Sequence, residues 1–191
     1  MNMQKSTVFM MLILIILVVP ILSSCEEDNM YSLEPTPDFS KLIEDGNLYD
    51  LTLTIYYKDF SVVTRAPVSL EQLKGGWYDN TGQSINGWYN HKVVVTGGDL
   101  TNHHDLLSQL SVAVLVPVDE SFVNARLYYV FEHIEHGEIF SVLAFGGSDT
   151  IFVNGLEVEY NSIFFEVVLP FLPGDAVETI ETYLDTMLGG Q

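Results

Sequence analysis

The stretch RLYYVFEHIEHGEIFSVLAF, residues 126–145, decides the fold of this chain. Two runs rich in β-branched and aromatic residues, the residue types typical of strands, flank the dipeptide His136-Gly137. Glycine-containing dipeptides between such runs are turn signals. The stretch therefore predicts two consecutive antiparallel strands joined by a hairpin.

Similar signals continue in both directions from this hairpin. Downstream, Gly146-Gly147 and Asn154-Gly155 separate further apolar runs, and Asn-Gly is the strongest short hairpin signal. Upstream, residues 48–60 alternate apolar and polar side chains with the period of two that is typical of a half-buried strand. Residues 86–97 and 111–118 are predicted strands as well. Together these runs predict an antiparallel meander.

Three segments carry helix signals. Ser69 and Gln72 form a Ser-x-x-Gln capping box, which predicts a short helix that ends at Lys74. Asn102 is the predicted N-cap of a second short helix. Residues 174–190 place their apolar side chains on one stripe, so we expect an amphipathic helix that lies on the sheet. The predicted fold class is α+β, mainly an antiparallel meander with a C-terminal amphipathic helix.

Two apolar segments leave alternatives open. Residues 162–172 suit either a strand or a buried helix, because a short apolar run fits both periods. Pro117 and Pro170 interrupt apolar runs, and proline cannot donate a hydrogen bond to a sheet. Any strand that contains one of them is therefore predicted to be an edge, or to bulge or end there.

The first 24 residues have the layout of a secretory signal peptide: one positive charge at Lys5, an apolar segment, and small residues at the end. The apolar segment, residues 8–22, is shorter than the about 20 residues that a membrane-spanning helix needs. Residues 1–24 are therefore predicted to be removed from the mature protein.

The residues at the predicted cleavage site are Leu22, Ser23, Ser24 and Cys25. They resemble the lipobox of bacterial lipoprotein precursors, and this resemblance implies that Cys25 carries a diacylglyceryl group and a further acyl chain such as palmitate. Lipidation also accounts for a single cysteine, which cannot form an internal disulfide. The acidic run after Cys25 is similar to that of outer-membrane lipoproteins of Gram-negative bacteria, which implies an outer-membrane location, facing the periplasm or the cell surface.

The mature chain is predicted to have two parts. Residues 25–41 contain the lipidated cysteine and a flexible tether, since Pro35 and Pro37 favour extended chain. Residues 42–191 then form a single globular β-rich domain of ordinary size.

Charge limits the partners of this domain. The chain has 7 Lys and Arg against 26 Asp and Glu, a net charge of −19. Nucleic acid and anionic membrane surfaces should therefore be repelled. The expected partners are the membrane, through the lipid on Cys25, and a carbohydrate or a protein.

Catalytic signatures are missing from the sequence. It contains no Gly-x-Ser-x-Gly, no Walker loop and no His-Glu-x-x-His, so we assign no catalytic residue and no cofactor. His133 and His136 lie among glutamates, and imidazole with carboxylate suits a divalent ion. On a strand these two side chains would face opposite ways, so a polar hairpin tip is the other interpretation, and we assign no metal site.

Both tryptophans lie in a near repeat, GGWYD and NGWYN, which contributes Trp77, Tyr78, Trp88 and Tyr89. Neighbouring side chains of extended chain point to opposite faces, so each pair should direct one ring to the core and one outward. Outward rings beside Asn and Asp suit the stacking and hydrogen bonding of a sugar. These four residues are the candidate ligand-binding residues, and the alternative is that the rings belong to the core.

The same segment contains a Gly-x-Trp-Tyr pattern at Gly75, Trp77 and Tyr78. The pattern resembles the entry of lipocalin barrels, which implies a lipocalin-like β-barrel as the alternative fold.

These observations predict a lipid-anchored cell-envelope protein with a non-enzymatic domain that binds a ligand or a partner. One alternative is a metal-dependent or hydrolytic enzyme that uses the histidines and acids. The other alternative is a subunit of a surface assembly, formed by strand addition at a free edge of the meander.

Overall fold

A computed structural model describes residues 38–78, 83–119 and 124–188. These residues belong to a compact unit that spans Pro35–Gln191, and the unit before it, Met1–Glu34, lies outside the described residues. Predictions for the signal peptide, the lipobox and Cys25 therefore concern residues that the structure does not describe.

The described residues contain six α-helices, eight strands and three 3-10 helices. The α-helices are α1 Phe39–Glu44, α2 Leu70–Lys74, α3 Gly97–Leu100, α4 His104–Ser111, α5 Ile163–Glu166 and α6 Gly174–Leu188. The strands are β1 Leu51–Tyr57, β2 Gly75–Tyr78, β3 Ser84–Asn86, β4 His91–Thr96, β5 Ala125–His133, β6 Gly137–Phe145, β7 Thr150–Val153 and β8 Leu156–Glu159. Short 3-10 helices span Asn47–Asp50, Thr101–His103 and Leu169–Phe171.

Six strands form one antiparallel sheet in the order β4-β1-β5-β6-β7-β8, and β2 pairs with β3 in a separate hairpin. The four strands β5 to β8 are consecutive neighbours, which confirms the predicted meander. Strand β1 inserts between β4 and β5, so that Ile55 pairs with Val93 on one side and with Tyr129 on the other. The fold class is α+β, as predicted.

The lipocalin-like barrel is not what forms. Among the described residues, β4 and β8 are the two ends of an open sheet, and no ladder joins them. The Gly-x-Trp-Tyr pattern instead lies on β2, outside the six-stranded sheet. A barrel requires its first and last strands to pair, and helices cover the sheet here instead.

Helices pack on both faces of the sheet, and one face carries a larger hydrophobic core than the other. The larger core lies on the face of β1 that carries Leu53 and Ile55, where buried side chains of α1, α3, α4, α5 and α6 meet the sheet. The smaller core, on the opposite face, contains Leu73 of α2 with Tyr128 and Val130 of β5. Strand β5 is therefore buried from both sides, which explains why it reads as a continuous apolar run.

Three predictions that were based on short stretches of sequence are confirmed. Ser69 caps α2 with both hydrogen bonds of the capping box, so the predicted helix ending at Lys74 is confirmed. The β7–β8 turn has positive φ at Asn154 and Gly155, 50° and 80°, as an Asn-Gly hairpin requires. The C-terminal amphipathic helix is α6, with Ile180 fully buried in the larger core.

Other predictions were wrong or resolved by the structure. The strand predicted for residues 111–118 does not form: Ser111 ends α4, and an isolated bridge pairs Pro117 with Val158 at the β8 edge. Residues 162–172 contain α5 and the 3-10 helix Leu169–Phe171, so Pro170 lies in a 3-10 helix and not in a strand. Helix α4 begins at His104 after a 3-10 turn, so Asn102 is not its N-cap.

Helix α1 includes three residues on the N-terminal side of the domain boundary predicted at residue 42. Helix α1 starts at Phe39, whose side chain is fully buried in the larger core. The backbone N–H of Phe39 donates a hydrogen bond to Ser111 Oγ at 2.8 Å, which ties α1 to the end of α4.

Candidate functional site

Trp88 lies on the connection between β3 and β4, not in a strand as predicted from sequence. Its side chain is 47% exposed, the largest aromatic exposure after Tyr49 among the described residues. Its backbone is held on both sides: the N–H donates to Gln72 O at 2.9 Å, and the carbonyl accepts from Lys58 Nζ at 3.1 Å. An exposed indole is thus carried on a constrained backbone.

Tyr89 turns towards the sheet instead. Its ring contacts Tyr56 of β1 edge-to-face, with the ring centroids 5.7 Å apart, and it packs against the smaller core. The next residue, Asn90, is exposed; its N–H donates to Tyr57 O at 2.7 Å and its side chain accepts from Asp59 N. The second Trp-Tyr pair therefore presents one ring outward beside polar groups, and the other inward.

Trp77 and Tyr78 lie on β2, where their backbones pair with Ile85 and Ser84 of β3. Their side chains are outside the described part of the structure. The two Trp-Tyr segments are brought near each other by the contact of Trp88 N with α2, which directly precedes β2.

The two histidines singled out as candidate ligands do meet, at the tip of the β5–β6 hairpin. The rings of His133 and His136 are stacked, with centroids 4.6 Å apart and planes at 22°. The turn between them, in which His136 N donates to His133 O, brings the two rings to one side. Among the described residues, no group of three or more His, Cys, Asp or Glu side chains is placed to hold a metal ion.

A cavity that the sequence did not reveal lies beside the start of β5. Its volume is about 350 Å³, within the range of small-molecule pockets. The segment that follows β1 forms one wall, through Phe60, Val62 and Pro67, and the turn at Gly146-Gly147 forms another. Arg126 of β5 lines it and is only 2% exposed.

The guanidinium of Arg126 is held by neutral acceptors. Nη1 donates to Ala125 O at 3.3 Å, and Nη2 donates to Val62 O at 2.9 Å and is 3.5 Å from Thr64 Oγ1. The buried Nε has no hydrogen-bond partner among the described residues. Burial lowers the pKa of Arg126, and the negative charge of Asp59 opposes that shift.

Space for this side chain depends on Gly146. A Cβ at that position would lie 2.9 Å from Arg126 Cγ and 3.1 Å from Nε. The Gly146 N–H also donates to Asn124 O at 3.0 Å, which fixes the turn against the start of β5. The signal in the sequence is a single arginine inside the apolar run of β5, yet only the fold shows what surrounds it.

A separate polar contact fastens the C-terminal helix to the edge of the sheet. His91 of β4 and Asp175 in the first turn of α6 lie 3.0 Å apart, from Nε2 to Oδ2. The hydrogen bond from His91 holds the pKa of Asp175 below its ordinary value. The His91 ring also stacks on Tyr57, with centroids 6.0 Å apart. This contact therefore links β4 to α6, and we assign no nucleophile to it.

Comparisons with known proteins give no relative: no family model matches the chain, and no curated protein or solved structure is significantly similar to it. Across residues 38–78, 83–119 and 124–188, no helix has the length and apolar character needed to cross a bilayer.

Proposed function

We propose that this chain is a lipid-anchored cell-envelope protein whose folded unit is a non-enzymatic binding domain. The observation that supports the binding role is the exposed Trp88 indole on its constrained backbone, beside Asn90 and Lys58. Exposing an indole leaves much apolar area in water, and a ring carried on a constrained backbone requires little backbone ordering when a ligand stacks on it.

A carbohydrate is the partner that this surface suits best. A sugar ring offers an apolar face for stacking and hydroxyl groups for hydrogen bonds, and Trp88 supplies the flat ring. Asn90 and Lys58 supply polar groups close to Trp88 along the chain and in space, since Lys58 Nζ donates to the Trp88 carbonyl and Asn90 follows two residues later. A protein partner with an exposed aliphatic side chain is the alternative occupant.

Binding to an array of neutral oligosaccharides tests this proposal. We expect wild-type protein to bind a subset of glycans, and Trp88→Ala to lose that binding. Because Trp88 is half exposed, the substitution should cost well below the about 3 to 5 kcal/mol of a buried tryptophan. Val63→Ala, at a position 95% exposed, is the control and should keep the binding. Glycan binding that survives Trp88→Ala would contradict the proposal.

The envelope location is proposed from the resemblance of Leu22 to Cys25 to a lipobox. Two or three acyl chains anchor a protein durably, since each buried CH₂ contributes about 0.8 kcal/mol. Cells grown with labelled palmitate should incorporate the label into the wild-type chain and not into Cys25→Ser. Membrane-bound, unlabelled wild-type protein would point to an uncleaved apolar segment instead.

A surface-assembly subunit is a second candidate, favoured by the edge strand β4. In the described part of the chain β4 pairs with β1 alone, it carries no proline, and its Val94 is 56% exposed. Such an edge can accept a further strand from another chain. Light scattering should then show a dimer or larger species that Val94→Lys converts to a monomer, and a monomeric wild-type protein would exclude this candidate.

A further inference from the structure

Arg126 is a buried cation without a buried anion. Its side chain is 2% exposed, and among the described residues no carboxylate lies at ion-pair distance from it. The negative charge that acts on it is that of Asp59, whose carboxylate accepts hydrogen bonds from the Ser61 N–H and hydroxyl at 2.7 Å each. Burying a charge without a partner costs several kcal/mol, so such a group is normally paired.

Positive charge is concentrated around this cavity. Arg65 lines it with Arg126, and Lys58 is close enough for the Arg126 charge to lower its pKa, after the larger effect of burial. Three of the seven basic residues of a chain with net charge −19 therefore lie at one end of the sheet. Asp59 is the carboxylate whose charge acts on Arg126, so the basic residues gathered here outnumber the acid that offsets Arg126.

The cavity has donors left for an anion. Arg126 Nε has no acceptor among the described residues, and the Nη2 contact with Thr64 Oγ1 is long at 3.5 Å. The Asn124 side chain accepts from the Val68 N–H through Oδ1 at 3.3 Å, whereas its Nδ2 donor makes a long contact of 3.5 Å with Gly146 O. Adjacent N–H groups of a guanidinium match the two oxygens of a carboxylate, which can bind both at once.

The rest of the lining is apolar. Phe60, Val62, Ala66 and Pro67 line the cavity and would contact a hydrocarbon or aromatic group. A single buried guanidinium balances one negative charge, whereas a phosphate dianion would bring a second charge that Arg126 alone does not balance.

We propose that the cavity binds a small organic monocarboxylate, with the carboxylate on the guanidinium of Arg126 and the apolar part of the ligand against Phe60, Val62 and Pro67. The residues that line the cavity do not include Lys58, Trp88 or Asn90, so the proposal stands whether or not Trp88 binds a carbohydrate.

Fluorinated probes test this site on the full chain in detergent micelles, by ¹⁹F NMR. The probe is 4-fluorophenylacetate, and 2-(4-fluorophenyl)ethanol is the neutral match. We expect wild-type protein to bind the carboxylate at least tenfold more tightly than the alcohol. Equal affinity for the two probes, or no binding of either, would overturn the proposal without depending on any variant. Inorganic phosphate should not displace the carboxylate, and displacement at equal concentration would show a general anion site instead.

Variants test whether 4-fluorophenylacetate binds in the cavity at Arg126. Arg126→Gln should remove the preference for the carboxylate, whereas Lys92→Gln, which removes one cation from β4, should keep it. Gly146→Ala keeps the charge of Arg126 but puts a methyl group 2.9 Å from its Cγ, so it should weaken carboxylate binding at least fivefold. Circular dichroism confirms that each variant is folded. Unchanged binding in both Arg126→Gln and Gly146→Ala would place the probe elsewhere and refute the assignment.

The glycan proposal for Trp88 and the carboxylate proposal for Arg126 are tested by different variants, so either can be refuted without the other. Trp88→Ala should leave 4-fluorophenylacetate binding unchanged, and Arg126→Gln should leave glycan binding unchanged. Loss of both activities in either variant would show that the two surfaces form one site.

Discussion

Replacing Phe39 with alanine tests whether the core of this protein includes helix α1. The ring is fully buried, and it meets Phe131 and Phe140 edge-to-face, with centroids 5.0 and 5.8 Å away. Truncating a buried phenylalanine costs about 3 to 5 kcal/mol, because transfer energy is lost and a cavity is left. Two aromatic pairs add about 0.5 to 1.5 kcal/mol each beyond buried area, which places the expected loss in the upper half of that range, about 4 kcal/mol.

Thermal and urea unfolding, followed by far-ultraviolet circular dichroism, measure this loss. For a unit of this size each kcal/mol shifts the melting temperature by about 2 to 4 °C, so Phe39→Ala should lower it by about 8 to 16 °C. Tyr49→Ala is the control, because Tyr49 follows α1 closely in the chain and is 72% exposed. Its free energy of unfolding should change by about 0.5 kcal/mol or less.

The comparison of the two variants decides the boundary of the folded unit. If Phe39→Ala unfolds at the same temperature as Tyr49→Ala, residue 39 contributes nothing to the core. The tether predicted for residues 25–41 would then extend through Phe39, and the packing described for α1 would be refuted.

Two further changes test local contacts. The pKa of Asp175 is lowered in the folded state by its hydrogen bond from His91, so this carboxylate adds stability above its unfolded pKa that is lost as pH falls through the folded value. Urea midpoints measured from about pH 5 to pH 2 should therefore fall less steeply for Asp175→Asn than for wild type, and parallel profiles would exclude the contribution. Gly155 has φ of 80° in the β7–β8 turn, so Gly155→Ala should cost about 1 to 2 kcal/mol in urea unfolding. An unchanged midpoint would contradict the turn geometry.

The exposure of Trp88 could be predicted from neighbouring residues, whereas the cavity at Arg126 could not. The exposure of one ring in a Trp-Tyr pair follows from the alternation of neighbouring side chains, although Trp88 lies in a connection and not in a strand. The cavity at Arg126 could not be found this way, because Arg126 Nη2 meets the carbonyl of Val62 from 64 positions away. A pocket that joins distant segments has no local pattern.

What the sequence by itself determined are the elements whose chemistry is complete within a few residues. The Ser69 capping box, the Asn154-Gly155 turn and the stripe of α6 depend only on neighbours in the chain, and each is present as predicted. The strands of the meander follow equally from period-two and continuous apolar runs separated by turns.

The tertiary structure alone decided the segments whose pattern fits more than one conformation. Residues 162–172 are apolar enough for a strand or a helix, and they are helical because Phe164 and Phe165 are buried in the larger core against one face of the sheet. Residues 112–118 have strand-forming side chains, yet they meet β8 at one bridge, where Val118 N–H donates to Glu157 O at 3.1 Å and Glu159 N–H donates to Val116 O at 2.9 Å. Pro117 lies between these two hydrogen bonds, at a position that needs no N–H towards β8, so a proline is tolerated there. Only packing against distant partners, which no short window contains, selects between such conformations.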